Sequence, residues 1–192
     1  MPFRTEGLGV DAGLMSFIQD TQRKTFRDDC WSVATKVPVE RGARYEVTAD
    51  IDKEEGRVSK LKIQRVNVGG NFIIESGCEN IVISDPCYIL PDEHWGEFCD
   101  ALWAKEERQG ISGATSRDPA PVFIDHHNTK VAVSSSGYGD GYYSCNIETD
   151  DNGNLKEAYI TFFTPGEDEE DMEEPWQEED DDIDDEKPEG GS

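Results

Sequence analysis

The chain has 192 residues, 43 Asp and Glu against 18 Lys and Arg, and a net charge of -25, a length that suits one domain or two small halves sharing a core. Charge of this sign repels nucleic-acid phosphates and anionic lipid, so a direct grip on nucleic acid or a membrane surface is excluded for the body as a whole. Residues 167–189 hold 16 acids and one base, Lys187, which leaves 27 acids and 17 bases elsewhere; tail and body are both acidic.

The N-terminus, Met-Pro-Phe-Arg-Thr-Glu-Gly, lacks a basic stretch followed by an apolar run. No apolar run approaches the length of a bilayer span, so the expected setting is the cytoplasm. The five cysteines, Cys30, Cys78, Cys87, Cys99 and Cys145, are scattered and form no C-x-x-C pair. Free, mostly buried thiols are the plain reading, with no zinc or redox motif and no cofactor.

In chain order, strands are expected at 14–18 and 32–37. Residues 44–51 alternate, with Tyr45, Val47, Ala49 and Ile51 on one face, and 57–66 return after the polar connection Asp52-Lys53-Glu54-Glu55-Gly56. This is a β-hairpin pattern. Further strands are expected at 71–75 and 80–84. Ser84-Asp85-Pro86-Cys87-Tyr88 then forms a turn, because Asp binds its own following backbone and Pro fixes φ.

The best helix is 92–108. Trp95, Phe98, Cys99, Leu102 and Trp103 recur on one helical face, and both tryptophans are expected in the core. Asp92 and Glu93 suit its first turn and Lys105 and Arg108 its last, with Gly110 placed to end it. Strands at 122–125 and 130–134 follow. Asp125-His126-His127-Asn128 invites a metal, but neighbouring strand residues point to opposite faces, so no metal site is expected.

Ser136-Gly137-Tyr138-Gly139-Asp140-Gly141-Tyr142 is the least ordinary stretch. Its glycines give access to positive φ, so the segment could cradle an anion or present Asp140 to a ligand. It matches no P-loop or dinucleotide fingerprint. The plainer reading is a turn feeding a strand, with Asp140 binding backbone donors. A second hairpin follows, 142–149 and 155–163, around Asp150-Asp151-Asn152-Gly153. After Thr164-Pro165-Gly166, residues 166–192 are expected to form a disordered acidic tail.

The two hairpins align. Tyr45, Val47 and Ala49 match Tyr143, Cys145 and Ile147 at an offset of 98; Val58, Leu61 and Ile63 match Leu155, Ala158 and Ile160 at 97. Val10-Asp11-Ala12-Gly13 likewise matches Ile74-Glu75-Ser76-Gly77. The expected fold is therefore α+β and β-rich: antiparallel sheets from two related hairpin-bearing halves, 1–70 and 71–165, with one main helix.

The Asp85-Pro86-Cys87-Tyr88 segment, a Trp-bearing helix and then Gly139-Asp140-Gly141-Tyr142 resemble a family of small uncharacterised phage and bacterial proteins. Its members carry Val-Asp-Ser/Ala-Gly, Gly-Asp-Pro-Cys-Tyr and Gly-Asp-Gly-x-Tyr segments. The resemblance covers about residues 74–163, with Ser84 in place of the usual Gly and Ser144 in place of a common Pro. It implies a phage or bacterial accessory protein and transfers no catalytic role.

Two functional readings follow. The first is a non-enzymatic protein that engages a basic host or viral protein surface, such as a host nucleic-acid-binding protein, by imitating nucleic acid or inhibiting a host factor. Its binding residues would be Met172, Trp176 and Ile183 among the acids Glu167, Asp168, Glu173, Glu174, Glu178, Asp180 and Asp182, with Gly137, Gly139, Asp140 and Gly141 as a second surface. The second is a small-ligand enzyme or hydrolase with Cys87 as nucleophile, a histidine (His94, His126 or His127) as base, and Asp85, Cys87 and Asp140 around one pocket. A structural accessory role without a ligand is the third and plainest alternative.

Overall fold

In the computed structural model, residues 2–20, 33–109, 121–126 and 129–165 are described. They form eleven strands and two helices in two antiparallel sheets. The strands are β1 (Pro2–Val10), β2 (Leu14–Asp20), β3 (Thr35–Pro38), β4 (Arg44–Asp52), β5 (Arg57–Val66), β6 (Phe72–Ile73), β7 (Asn80–Ser84), β8 (Val122–His126), β9 (Thr129–Ser135), β10 (Gly141–Thr149) and β11 (Leu155–Thr161). The helices are α1 (Pro86–Ile89) and α2 (Asp92–Gln109).

The first sheet runs β1-β10-β11-β5-β4-β6 and the second β3-β7-β2-β9-β8. Exchange β1 with β6, β4 with β10 and β5 with β11, and the first order reads the same from its other end. Exchanging β2 with β7 and β3 with β9 does the same for the second, with β8 as an addition. The registers obey the same rule. Lys62 stands opposite Tyr159, its own counterpart at the offset of 97, so Leu61 meets Ile160 and Ile63 meets Ala158. Ile18 stands opposite Val82, its counterpart at the Val10-to-Ile74 offset. The two hairpins thus lie side by side about an approximate two-fold axis through each sheet.

The halves are interleaved. β1 pairs with β10 of the second hairpin, and β6 pairs with β4 of the first. Tyr45, fully buried on β4, donates its hydroxyl to the Leu155 carbonyl at 2.7 Å, tying one hairpin to the other.

Alternation explains the layers. Inward residues of the first sheet, among them Val47, Leu61, Ile63, Cys145, Ala158 and Ile160, pack against Met15, Phe17, Ile81, Ile83 and Ala132 of the second. The other face of the second sheet (Leu14, Ile18, Val82, Val131 and Val133) buries Ile89, Leu90, Phe98 and Leu102 of the helical segment. β2 is covered on both faces, which is why all its residues are buried.

Several expectations are corrected. Trp103 is 62% exposed; Phe98 and Leu102 form the buried stripe of α2, with Trp95 and Ala101 beside them. The stripe is narrower than the apolar pattern because a single sheet face covers this helix. Pro2–Val10 is a further strand, beyond those expected from pattern, with a register shift between Thr5 and Leu8 that blurs its alternation. The 71–75 strand shrinks to two residues, and the Asp-Pro turn is one turn of α-helix. No helix among the described residues is long and apolar enough to cross a membrane.

Candidate functional site

β1 leaves the first sheet at Val10, turns through Asp11-Ala12-Gly13 and enters the second sheet as β2. Gly13 takes φ +66, which makes the turn possible. This corner is where the two unusual motifs meet.

Asp85 follows β7 directly, with its side chain fully buried. One carboxylate oxygen accepts the backbone N–H of Asp11 at 3.0 Å and of Ala12 at 2.8 Å. The other accepts the Cys87 N–H at 3.0 Å, so Asp85 is also the N-cap of α1, and Pro86 opens that helix where an N–H is dispensable. The Cys87 thiol donates a further hydrogen bond to the same carboxylate. Burial pushes the Asp85 carboxyl above its ordinary value, against the pull of its N–H donors. Burial and the Asp85 charge push the Cys87 thiol up to about 12. A nucleophilic thiol needs the opposite environment.

The glycine-rich segment lies on the other side of the corner. Ser136 N–H donates to the Gly13 carbonyl at 3.0 Å. The Gly139 carbonyl accepts both the Ser136 hydroxyl and the Tyr143 hydroxyl at 3.0 Å. Asp140 is exposed, and the internal bonds of this turn come from Ser136 and Tyr143. Gly137 is required by space as well as by φ +67: a Cβ there would stand 2.8 Å from Phe162 Cβ and 3.0 Å from the Val58 carbonyl oxygen. Arg57 donates to the Gly137 carbonyl at 3.1 Å and lies 5.2 Å from the ring centroid of Tyr138.

Two aromatic residues complete the corner. Tyr88 lies against Gly9, where a Cβ would fall 3.1 Å from its ring. Its hydroxyl is hydrogen-bonded to the Asp11 carboxylate, and burial together with that bond raises its pKa. Gly9 pairs with Tyr142, so Tyr142 projects from the same face of the sheet beside Tyr88. Tyr142 is 78% exposed. The sequence reading missed Gly9, Asp11 and Tyr88 as parts of this site. A glycine between Leu8 and Val10 in an apolar stretch was the available signal, because such a glycine marks a close approach of another group.

The remaining expectations fall elsewhere. His126 is buried at the end of β8 in edge contact with His94 and Phe98, while Asp125 points outward opposite Lys130. Among the described residues, no three His, Cys, Asp or Glu side chains are grouped to hold a metal ion. In the second hairpin turn, Asp150 accepts from the N–H groups of Asn152 and Asn154, both at 2.9 Å, and those donors hold its pKa below the ordinary value. Met172, Trp176, Ile183 and the surrounding acids, with Cys30 and His127, lie outside the described residues.

No protein-family model matches the chain, and no curated protein or solved structure shows significant similarity to it.

Proposed function

We propose that this chain is a non-enzymatic binding protein that engages a basic protein surface. The observation that carries the reading is an excess of acid that the fold does not neutralise. The net charge is -25. Among the described residues, five bases are in turn held by acids of the chain itself: Lys36 by Asp20, Lys62 by Glu157, Arg65 by Glu40 and Asp150, Lys130 by Glu75, and Lys156 by Glu148. The field around the molecule is therefore that of the surplus carboxylates, which attracts cations and resembles that of a phosphate backbone.

The corner at Asp85 favours binding over catalysis. Its carboxylate and the Cys87 thiol are engaged with each other and with backbone donors, which is a structural use of both groups. A host or viral nucleic-acid-binding protein is the class of partner whose surface would suit this charge. The phage or bacterial origin implied by the motifs fits a protein that competes for such a surface.

The test is affinity capture at low and high salt, with the full chain and with a chain lacking residues 166–192. The reading expects partners of high isoelectric point, weaker capture at high salt, and a further loss without the tail. Capture that is indifferent to both salt and tail would overturn it.

A further inference from the structure

Residues 134–144 consist only of Ser, Gly, Tyr and a single Asp. This is the composition of antibody recognition loops, in which tyrosines give large contact area at low entropic cost and Ser and Gly give adaptable polar contacts. Here the backbone of the loop is already fixed. Ser136, Tyr143 and Arg57 hold its carbonyls, and Gly137 is wedged against Phe162. The exposed groups are Tyr142 at 78%, Tyr138 at 50% with its ring packed on Phe163 at 4.9 Å between centroids, and the carboxylate of Asp140 between them in sequence. Tyr88 and the exposed Asp11 continue the face across Gly9.

The same surface shows what such tyrosines accept. Arg57 lies 5.2 Å from the centroid of Tyr138 while donating to a loop carbonyl. Farther along the first sheet, the Lys60 ammonium is 4.2 Å from the centroid of Tyr159. Both are cation–π contacts made by the chain's own bases. Tyr142 offers an exposed ring in a strongly acidic molecule, with Asp140 two residues before it and Asp11 two residues beyond its strand partner Gly9.

We propose that the face formed by Tyr88, Tyr138, Tyr142, Asp11 and Asp140 is the docking site for a basic protein segment, whose Arg or Lys side chain stacks on Tyr142 between the two carboxylates. This deepens the proposed function and rests on it: the overall charge brings a basic partner near, and this face gives it a defined seat.

The experiment is an amide chemical-shift titration of the full-length chain with a short Arg- and Lys-rich peptide, and with a Glu-rich peptide of the same length as control. The site predicts shifts at residues 9–12, 88 and 137–142 with the basic peptide alone. Tyr142→Ala should weaken that binding about fivefold or more, and Tyr142→Phe, which keeps the ring face, should stay within about twofold of the wild type. The side chain is mostly exposed, so both variants keep the fold. Shifts confined to residues 166–192, with Tyr142→Ala without effect, would overturn the site and leave the basic-partner reading standing. Absence of shifts anywhere with the basic peptide at low salt would overturn both.

Discussion

Replacing Asp85 with Asn isolates the part played by the buried carboxylate. The wild-type side chain gathers three backbone N–H donors at 2.8–3.0 Å. Asn has the same size but one oxygen, so its amide NH2 must face either the Asp11–Ala12 pair or the Cys87 N–H. Turning a donor on a donor forfeits one or two charge-assisted bonds, each about 1.5–3 kcal/mol. The variant avoids burying a charge, which offsets part of that loss. The expected net destabilisation is about 2–3 kcal/mol near neutral pH, read by urea unfolding with an unchanged m-value. Amide exchange at Asp11 and Ala12 should accelerate locally. The pH dependence supplies an independent sign. Burial raises the folded-state pKa of Asp85 above its ordinary value of 3.8, so the folded chain holds a proton that the unfolded chain releases. The stability this adds is full below 3.8 and is lost as pH rises through the folded value. Asn cannot titrate, so the deficit of Asp85→Asn should shrink as pH rises through that window. A deficit that grows with pH would show that the N–H donors outweigh burial and would refute the reasoning, as would a loss below about 0.5 kcal/mol.

Other outcomes follow from the same structure. Gly137→Ala should cost about 2–4 kcal/mol by thermal or urea unfolding, because a positive φ and a 2.8 Å approach to Phe162 coincide there. Gly139→Ala meets no atom within 4 Å and should cost only the strain of its φ of +104, about 1–2 kcal/mol. Tyr45→Phe removes the 2.7 Å bond to Leu155 from a fully buried site and should cost about 1–2 kcal/mol, with faster exchange in the second hairpin turn. With Cys78 raised to about 11 and Cys87 and Cys145 to about 12, alkylation of the native chain near pH 8 should be far slower at these thiols than in urea; rapid native labelling of Cys87 would contradict its pairing with Asp85.

Much of the framework was legible in the sequence because it depends on local pattern. Both hairpins carry alternation and turn chemistry within about twenty residues of chain, and β4, β5, β10 and β11 lie within a residue or two of their expected bounds. The hairpins themselves meet antiparallel about the Lys62–Tyr159 pair, so Leu61 faces Ile160 and Ile63 faces Ala158, the reverse of their alignment in sequence. What escaped depended on contacts distant in sequence. Trp103 belongs to the apolar pattern of α2 but faces outward, since only one sheet face lies beneath the helix. Local turn chemistry accounts only for the bond from Asp85 to Cys87; its bonds to Asp11 and Ala12 span more than seventy residues, and no local rule announces them. Tyr88 and Tyr142 become neighbours only through Gly9 of β1.

On the proposed function, the surplus acid charge directs this chain to basic protein surfaces. The direct measurement is the affinity of the full-length chain for the Arg- and Lys-rich peptide as salt rises from about 0.05 to about 0.5 M, over which the Debye length falls from about 14 to about 4 Å. A steep, roughly linear fall of log K with log salt and no binding of the Glu-rich control are expected. Affinity for the basic peptide that is flat across that range, or equal for the two peptides, would contradict the proposed function.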